Sequence, residues 1–285
     1  MNIVTKIRFF FSAIRFEHTL FALPFAYIGM VLAANGLPTL HQFVWITVAM
    51  ASARTVAMTA NRLVHAKEDA LNPRTSSRHI PQGLLKPKEL TVAMLLSIGV
   101  FIFAAYQLNT LAFVLSPFVV AILFLYTYAK YFTWSSHFVL GWSDAIAPAG
   151  AWIGVQGHLD FEGFVLALAV ASWVAGFDII YSCMDYEFDK GHGIHSIPRK
   201  FGIAGALWWT RGLHCVTAIG LLSVGLLMDM GFIYYSGWAI ACMVLAYQNS
   251  IVRPSDLSRV RFASLQLNSV VGTLLLTTSI LDVTL

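Results

Sequence analysis

Carboxylates recur at four-residue spacing in two stretches of this chain. The first is Asn61-Arg62-Leu63-Val64-His65-Ala66-Lys67-Glu68-Asp69, and the second runs from Asp178 through Asp185-Tyr186-Glu187-Phe188-Asp189. Residues four apart share a helical face, so Asn61, His65 and Asp69 point one way, as do Asp185 and Asp189, with Asp178 deeper on the same stripe. Mg²⁺ takes one or two carboxylates together with phosphate oxygens and retained waters. Two such helix ends facing each other imply a divalent cation and an anionic ligand, and a diphosphate satisfies both. The first stretch continues as Asn72-Pro73-Arg74-Thr75-Ser76-Ser77-Arg78-His79-Ile80-Pro81, offering two guanidiniums and several hydroxyls suited to phosphate oxygens. Solvated helix ends are the plainer account of any one acid, Glu68 or Glu187 for instance. Matched spacings at two ends, each followed by a basic loop, argue against it.

The elements that must position these groups are transmembrane. With 285 residues, 58% hydrophobic and 11% charged, and a mean hydropathy of +0.72, the chain has too little polar surface for a soluble globule. Apolar runs long enough as helix to cross ~30 Å of hydrocarbon fall at 16–34, 43–64, 90–107, 111–129, 138–155, 163–184, 205–228, 232–250 and 263–281. The expected fold is all-α, a bundle of nine transmembrane helices forming one domain over residues 1–285 of a polytopic membrane protein.

Charge placement supports the count, because short cytoplasmic loops retain Lys and Arg. The segments 35–42, 108–110, 156–162, 229–231 and 282–285 carry none, and all 18 basic residues lie at the opposite ends or within helices. This places the N-terminus and the acidic clusters in the cytoplasm and the C-terminus outside. The net charge of +4, gathered on the inner face, suits anionic lipid headgroups or an anionic substrate, and nothing points to nucleic acid. A basic start, an apolar run and Ala33-Ala34-Asn35 also resemble a signal peptide. Against that, the run is long, and Glu17, His18 and Pro24 interrupt it. The first twelve residues read as an interfacial helix with Phe9, Phe10 and Phe11 toward lipid. Cys183, Cys215 and Cys242 form no metal-spaced pair and read as packing residues. A shift of 120 superimposes His65 on Asp185 and Asp69 on Asp189, the trace of an internal duplication.

Further charges sit within the spans. Arg54, seven residues before Asn61, either binds the carboxylate of an acidic ligand or pairs with Asp144 or Asp178, since intramembrane charges are costly alone. His18 and Glu17 either face the site or pack a helix end. The phenylalanine-rich first, third and fourth runs are candidates to line a groove for a long apolar ligand, although aromatic residues also serve bilayer packing. A secondary transporter or channel built on Arg54, Asp144 and Asp178 is the competing class. Transporter sites gather near the midplane on broken helices, whereas the charged groups here cluster at one rim.

Three stretches carry a resemblance over nearly the whole chain: Arg15-Phe16-Glu17-His18-Thr19-Leu20-Phe21-Ala22-Leu23-Pro24, Asn61-Arg62 through Asn72-Pro73-Arg74-Thr75, and Gly176-Phe177-Asp178-Ile179-Ile180-Tyr181 through His195-Ser196-Ile197-Pro198. The sequence resembles the UbiA-type membrane aromatic prenyltransferases, most closely the bacterial 4-hydroxybenzoate and menaquinone-pathway (futalosine type) branch. The resemblance implies an inner-membrane enzyme that holds Mg²⁺ on a polyprenyl diphosphate and transfers the prenyl group to an aromatic acid, 4-hydroxybenzoate or a dihydroxynaphthoate. It implies Asn61, Asp69, Asp185 and Asp189 as metal ligands and Arg74, Arg78, Tyr126 and Lys130 around the diphosphate. Asp178 falls near the reacting carbon, so the expected catalytic set is Asp178, Asp185, Asp189 and Lys130. Chlorophyll- and haem-prenylating relatives share the metal motifs but not the first and third stretches. His65 departs from the family, standing where its middle carboxylate belongs, and imidazole is a poor partner for a hard cation. Glu68 or Glu187 supplies the missing oxygen, or His65 meets a phosphate as imidazolium, or the metal site is impaired; the adjacent acid is the preferred reading. Tyr131, where related chains often carry Arg, is a smaller departure.

Overall fold

The computed structural model describes residues 3–14 and 19–285. Arg15, Phe16, Glu17 and His18, which open the first stretch of the resemblance, lie outside them. Short helix α1 (Ile3–Ala13) precedes α2 (Thr19–Ala34), α3 (Leu40–Val64), α4 (Ala66–Leu71), α5 (Pro87–Leu108), α6 (Thr110–Phe132) and α7 (Ser136–Gln156). Then come α8 (Phe161–Ser182), α9 (Tyr186–His192), α10 (Ile197–Leu227), α11 (Phe232–Ile251) and α12 (Asn268–Thr284). An isolated bridge between Arg253 and Asp256 is the sole extended pairing among the described residues.

Each of the nine expected runs overlaps a helix among the described residues. Among the described residues, seven stretches are long and apolar enough to cross a membrane: α3, α5, α6, α7, α8 with α9, α10, and α12 with its π-helical lead-in Phe262–Leu267. Helix α11 does not meet that measure, and the apolar part of α2, Leu23–Ala34, is shorter. The observed fold is therefore an all-helical membrane bundle, and seven of the nine expected spans meet this measure among the described residues.

The helix starts follow local chemistry. Thr39 caps α3 in a reciprocal box with Gln42, Asn109 accepts the Ala112 amide at the head of α6, and Ser196 accepts that of Arg199 at the head of α10, each satisfying a donor otherwise left open. Gly202, at φ 72° and ψ 168°, breaks α10 after its first turn.

Helix α8 is the spine. Leu166, Ala169, Val170, Trp173, Val174, Ile179 and Ile180 are all buried along it, and it packs between α7 and α10. With lipid outside as apolar as the core, small residues and hydrogen bonds do the joining. Thr210 and Thr217 of α10 donate to the Gly176 and Ala169 carbonyls, and the Trp173 indole donates to Asn268 at 2.7 Å. Leu95, Leu96 and Phe103 on α5 and Val114, Phe118 and Leu125 on α6 are exposed, as lipid-facing side chains are.

Helix α1 corrects one expectation. Phe11 is exposed, but Phe9 packs with Ala13 against Leu85 and Leu90 and sits 5.4 Å from the His79 ring. Arg62 Nε donates to the Ala13 carbonyl, so α1 is docked on the bundle end. The cysteines also divide: Cys183 is buried, Cys242 half-buried and Cys215 exposed, so Cys215 is not a core packing residue.

Candidate active site

Neither acidic stretch is one continuous helix. Helix α3 ends at Val64 and the chain turns at His65 (φ −96°, ψ 17°) before α4. Helix α8 passes through a 3₁₀ turn, Cys183–Asp185, and turns at Asp185 (φ −99°, ψ 4°) before α9. Residues related by the shift of 120 thus adopt one conformation, and each short second helix carries a buried acid, Asp69 or Asp189.

The two turns enclose a polar cavity of about 230 Å³. Asn61, His65, Glu68, Asp69, Arg74, Arg78, Tyr126, Lys130, Asp178, Asp185 and Asp189 all line it, so every residue expected around a metal or diphosphate reaches one place. Arg74 grips Asp185 through Nε at 2.9 Å and Nη2 at 2.5 Å and donates to the Tyr181 hydroxyl at 3.0 Å. Asn72 donates to the same carboxylate at 2.9 Å, and Arg78 donates to Asp69 at 2.6 Å. Asp189 accepts at 2.8 Å from Ser196, the residue that also caps α10. Burial opposes the charge of Arg74, yet the Asp185 bond and field outweigh it and hold the guanidinium more firmly protonated than usual.

His65 is buried and its Nδ1 lies 2.8 Å from the Tyr131 hydroxyl. Burial, then the Lys130 charge, push it down to about 3, so the imidazole is neutral. Glu187 is exposed on α9 and does not line the cavity. Glu68 does line it, its carboxylate beside the Tyr131 hydroxyl and its Oε2 buried with no hydrogen-bond partner among the described residues.

A second cavity of about 590 Å³ adjoins the first. Asn61, Arg78, Tyr126, Leu140, Asp178 and Tyr181 line both, forming the neck between them. The larger space is walled mainly by α3, α6 and α7, with Phe101, Ala105 and Leu108 from α5 and, among the described residues, Ala26 from α2. The expectation of a groove from the first, third and fourth apolar runs is thus enlarged: the third and fourth contribute, and α3 and α7 supply most of the rest. Arg54 and Asp144 project into the same space. Asp144 acts on Arg54 electrostatically, but no ion pair joins Arg54 to an acid among the described residues, and its Nε is buried without a partner.

Among the described residues, no three His, Cys, Asp or Glu side chains converge as a ready-made metal cage. The donors present are hard oxygens on two facing turns, one of them unpartnered, which suits a cation whose remaining ligands are phosphate oxygens. Mg²⁺ fits this set.

The comparisons with known proteins agree with this geometry. The model of the UbiA prenyltransferase family matches residues 22–270. The chain belongs to the UbiA prenyltransferase family. It is 31% identical over 229 residues to the 4-hydroxybenzoate octaprenyltransferase of Vibrio cholerae, covering 79% of each chain, and 26% identical over 228 residues to that of Vibrio atlanticus, covering 80% of each. Among solved structures, the apo UbiA homolog from Aeropyrum pernix K1 superposes with a TM-score of 0.85 at 30% identity, over 93% of this chain and 98% of that one. The UbiA homolog from Archaeoglobus fulgidus bound to DMAPP and Mg²⁺ shares the fold, with a TM-score of 0.71 at 18% identity, over 94% of this chain and 99% of that one. Membership of a family of prenyltransferases sets the transporter reading aside.

Motif reasoning missed four residues of this UbiA site: Asn72, Tyr181, Ser196 and His137. Asn72, Tyr181 and Ser196 lay inside stretches already singled out, and only their contacts give them a part. His137 carried no signal at all: it stands alone at the head of α7 and meets Asp178 at 2.6 Å through space.

Proposed function

We propose that this chain transfers a polyprenyl group from polyprenyl diphosphate to an aromatic acid, 4-hydroxybenzoate or a dihydroxynaphthoate, by diphosphate ionisation and electrophilic aromatic substitution. The observation that carries this reading is the pair of joined cavities, one polar and ringed by acids and guanidiniums, the other apolar with a buried unpaired arginine. The names of the Vibrio relatives support the aromatic acceptor.

In the polar cavity, Arg74 takes the diphosphate by the forked hydrogen bonds it gives to Asp185 and Arg78 by the single bond it gives to Asp69, since phosphate and carboxylate oxygens compete for the same donors. Asn61, Asp69, Asp185 and Asp189 would hold Mg²⁺, with Glu68 in place of the acid that His65 displaces, and the bound ion would supply positive charge against the leaving diphosphate. Lys130, close to Glu68, Asp69, Asp185 and Asp189, adds a further positive charge there. Tyr126 and Asp178 at the neck face the carbon that becomes cationic, and the surrounding apolar wall keeps water away. The larger cavity takes the isoprenoid and the acceptor, and Arg54 binds the acceptor's carboxylate. The chain acts as one domain over residues 1–285, with nine spans in a bacterial inner membrane and the polar cavity at the cytoplasmic side.

The test supplies radiolabelled polyprenyl diphosphate and Mg²⁺ with each acceptor to membranes carrying wild type, Asp185→Ala or Arg54→Met. Wild type forms prenylated product with one acceptor, and Asp185→Ala forms none. Arg54→Met loses the carboxylated acceptor while keeping a phenol that lacks the carboxylate. Full turnover by Asp185→Ala overturns the metal site, and equal loss on both acceptors overturns the role of Arg54.

A further inference from the structure

The reaction proposed above leaves a proton to be removed. When an aromatic carbon attacks the prenyl cation, that carbon carries both its hydrogen and the new substituent until a base takes the proton. Of the acids of the polar cavity, Asp185 is held by Arg74, Asp69 by Arg78 and Asp189 by Ser196, and Glu68 is assigned above to the metal. His137 is differently placed. It is 5% exposed, lines the polar cavity, and its Nδ1 lies 2.6 Å from Asp178 Oδ2. A carboxylate at Nδ1 fixes the proton there and leaves Nε2 with a free lone pair. That Nε2 is buried and has no hydrogen-bond partner among the described residues. An unpaired nitrogen at such burial points to a ligand atom.

Position along the helices puts this imidazole close to the neck. Asp178 lines both cavities, and the imidazole it holds lines the polar one beside the neck. One turn further along α7, Leu140 also lines both cavities, and Asp144, a turn beyond, lies in the larger one. The prenyl carbon attached to the diphosphate must lie where polar cavity meets apolar cavity.

We infer that His137, oriented by Asp178, is the catalytic base that removes the ring proton. This rests on aromatic prenylation being the reaction. The bond from the prenyl carbon to the diphosphate oxygen breaks with its pair leaving on diphosphate, and a ring π pair forms the new carbon–carbon bond. The ring C–H pair then restores aromaticity as the proton passes to His137 Nε2, and from there to water. Asp178 touches the imidazole and is to that extent a positioning residue; nothing needs to be oxidised or reduced.

The experiment uses the full chain in detergent with Mg²⁺, prenyl diphosphate and acceptor carrying hydrogen or deuterium at the substituted ring carbon. In wild type, proton loss is faster than ionisation and no primary isotope effect appears. In His137→Asn, whose amide retains a donor toward Asp178, kcat falls about 10²-fold, KM for the prenyl diphosphate holds, and a primary isotope effect emerges. His137→Gln is measured alongside, so that poor folding of one variant leaves the other to decide. A fall in kcat with no isotope effect reduces His137 to a positioning role and overturns the inference, as does undiminished turnover. Wild type that prenylates no aromatic acceptor overturns the proposed reaction as well, so the two failures are distinguishable.

Discussion

His65 and Glu68 together define the departure of this site from its family's acidic pattern. A neutral imidazole held against Tyr131 offers no negative oxygen, whereas Glu68, one turn further on, faces the cavity with one carboxylate oxygen unpartnered. If Glu68 completes the metal site, Glu68→Gln raises the Mg²⁺ concentration for half-maximal pyrophosphate release about tenfold, the scale on which groups around a bound metal act. Adding His65→Asp to that variant restores the requirement, because it returns a carboxylate to the family position. An unchanged Mg²⁺ dependence in Glu68→Gln would show that His65 stands uncompensated. Spacing alone made Asn61, Asp69, Asp185 and Asp189 legible, since a four-residue period is local. The partner of each was not, because Arg74 meets Asp185 across more than a hundred residues of chain.

At the scale of elements, the site depends on interrupting two helices at equivalent points. The turns at His65 and Asp185 let each chain end fold over the cavity, and their matching backbone angles strengthen the case for an internal duplication. Close packing sets where those ends lie. A Cβ on Gly141 of α7 would collide with the Ala171 carbonyl of α8 and approach the Ala175 methyl to 3.2 Å. Gly141→Ala must therefore separate two helices of which one carries His137 and the other Asp178, at a cost of about 1–3 kcal/mol for overpacking. Its melting temperature in detergent drops by several degrees. Gly212→Ala on α10, with nothing within 4 Å of the added carbon, leaves it level or slightly raised. Equal behaviour of the two variants would remove close contact as the reason for Gly141. Helix positions were readable from apolar runs; the breaks within the acidic stretches were not, because a helical period continues unaltered through both.

For the whole molecule, the question is which side of the membrane bears the polar cavity. The basic residues gather with the acids at one end of the bundle, and positive loops remain cytoplasmic. In a background with Cys215 replaced by Ser, His158→Cys is labelled by an impermeant maleimide in intact cells, and Ser77→Cys only after permeabilisation. Both positions are exposed. The reverse pattern inverts the orientation, and labelling of both from one side breaks the alternation on which nine spans rest.

Composition, apolar run length and charge alternation determined from sequence alone that this is a helical membrane protein with an acidic and basic rim, because each depends on residues near one another along the chain. The tertiary structure decided the rest: that the two acidic turns share one cavity, that Arg54 lies in the field of Asp144 without an ion pair among the described residues, that Glu68 is in place and Glu187 is not, and that His137 meets Asp178. Those facts follow from how α3, α7 and α8 pack side by side, and contacts between distant segments leave no periodic trace in the sequence.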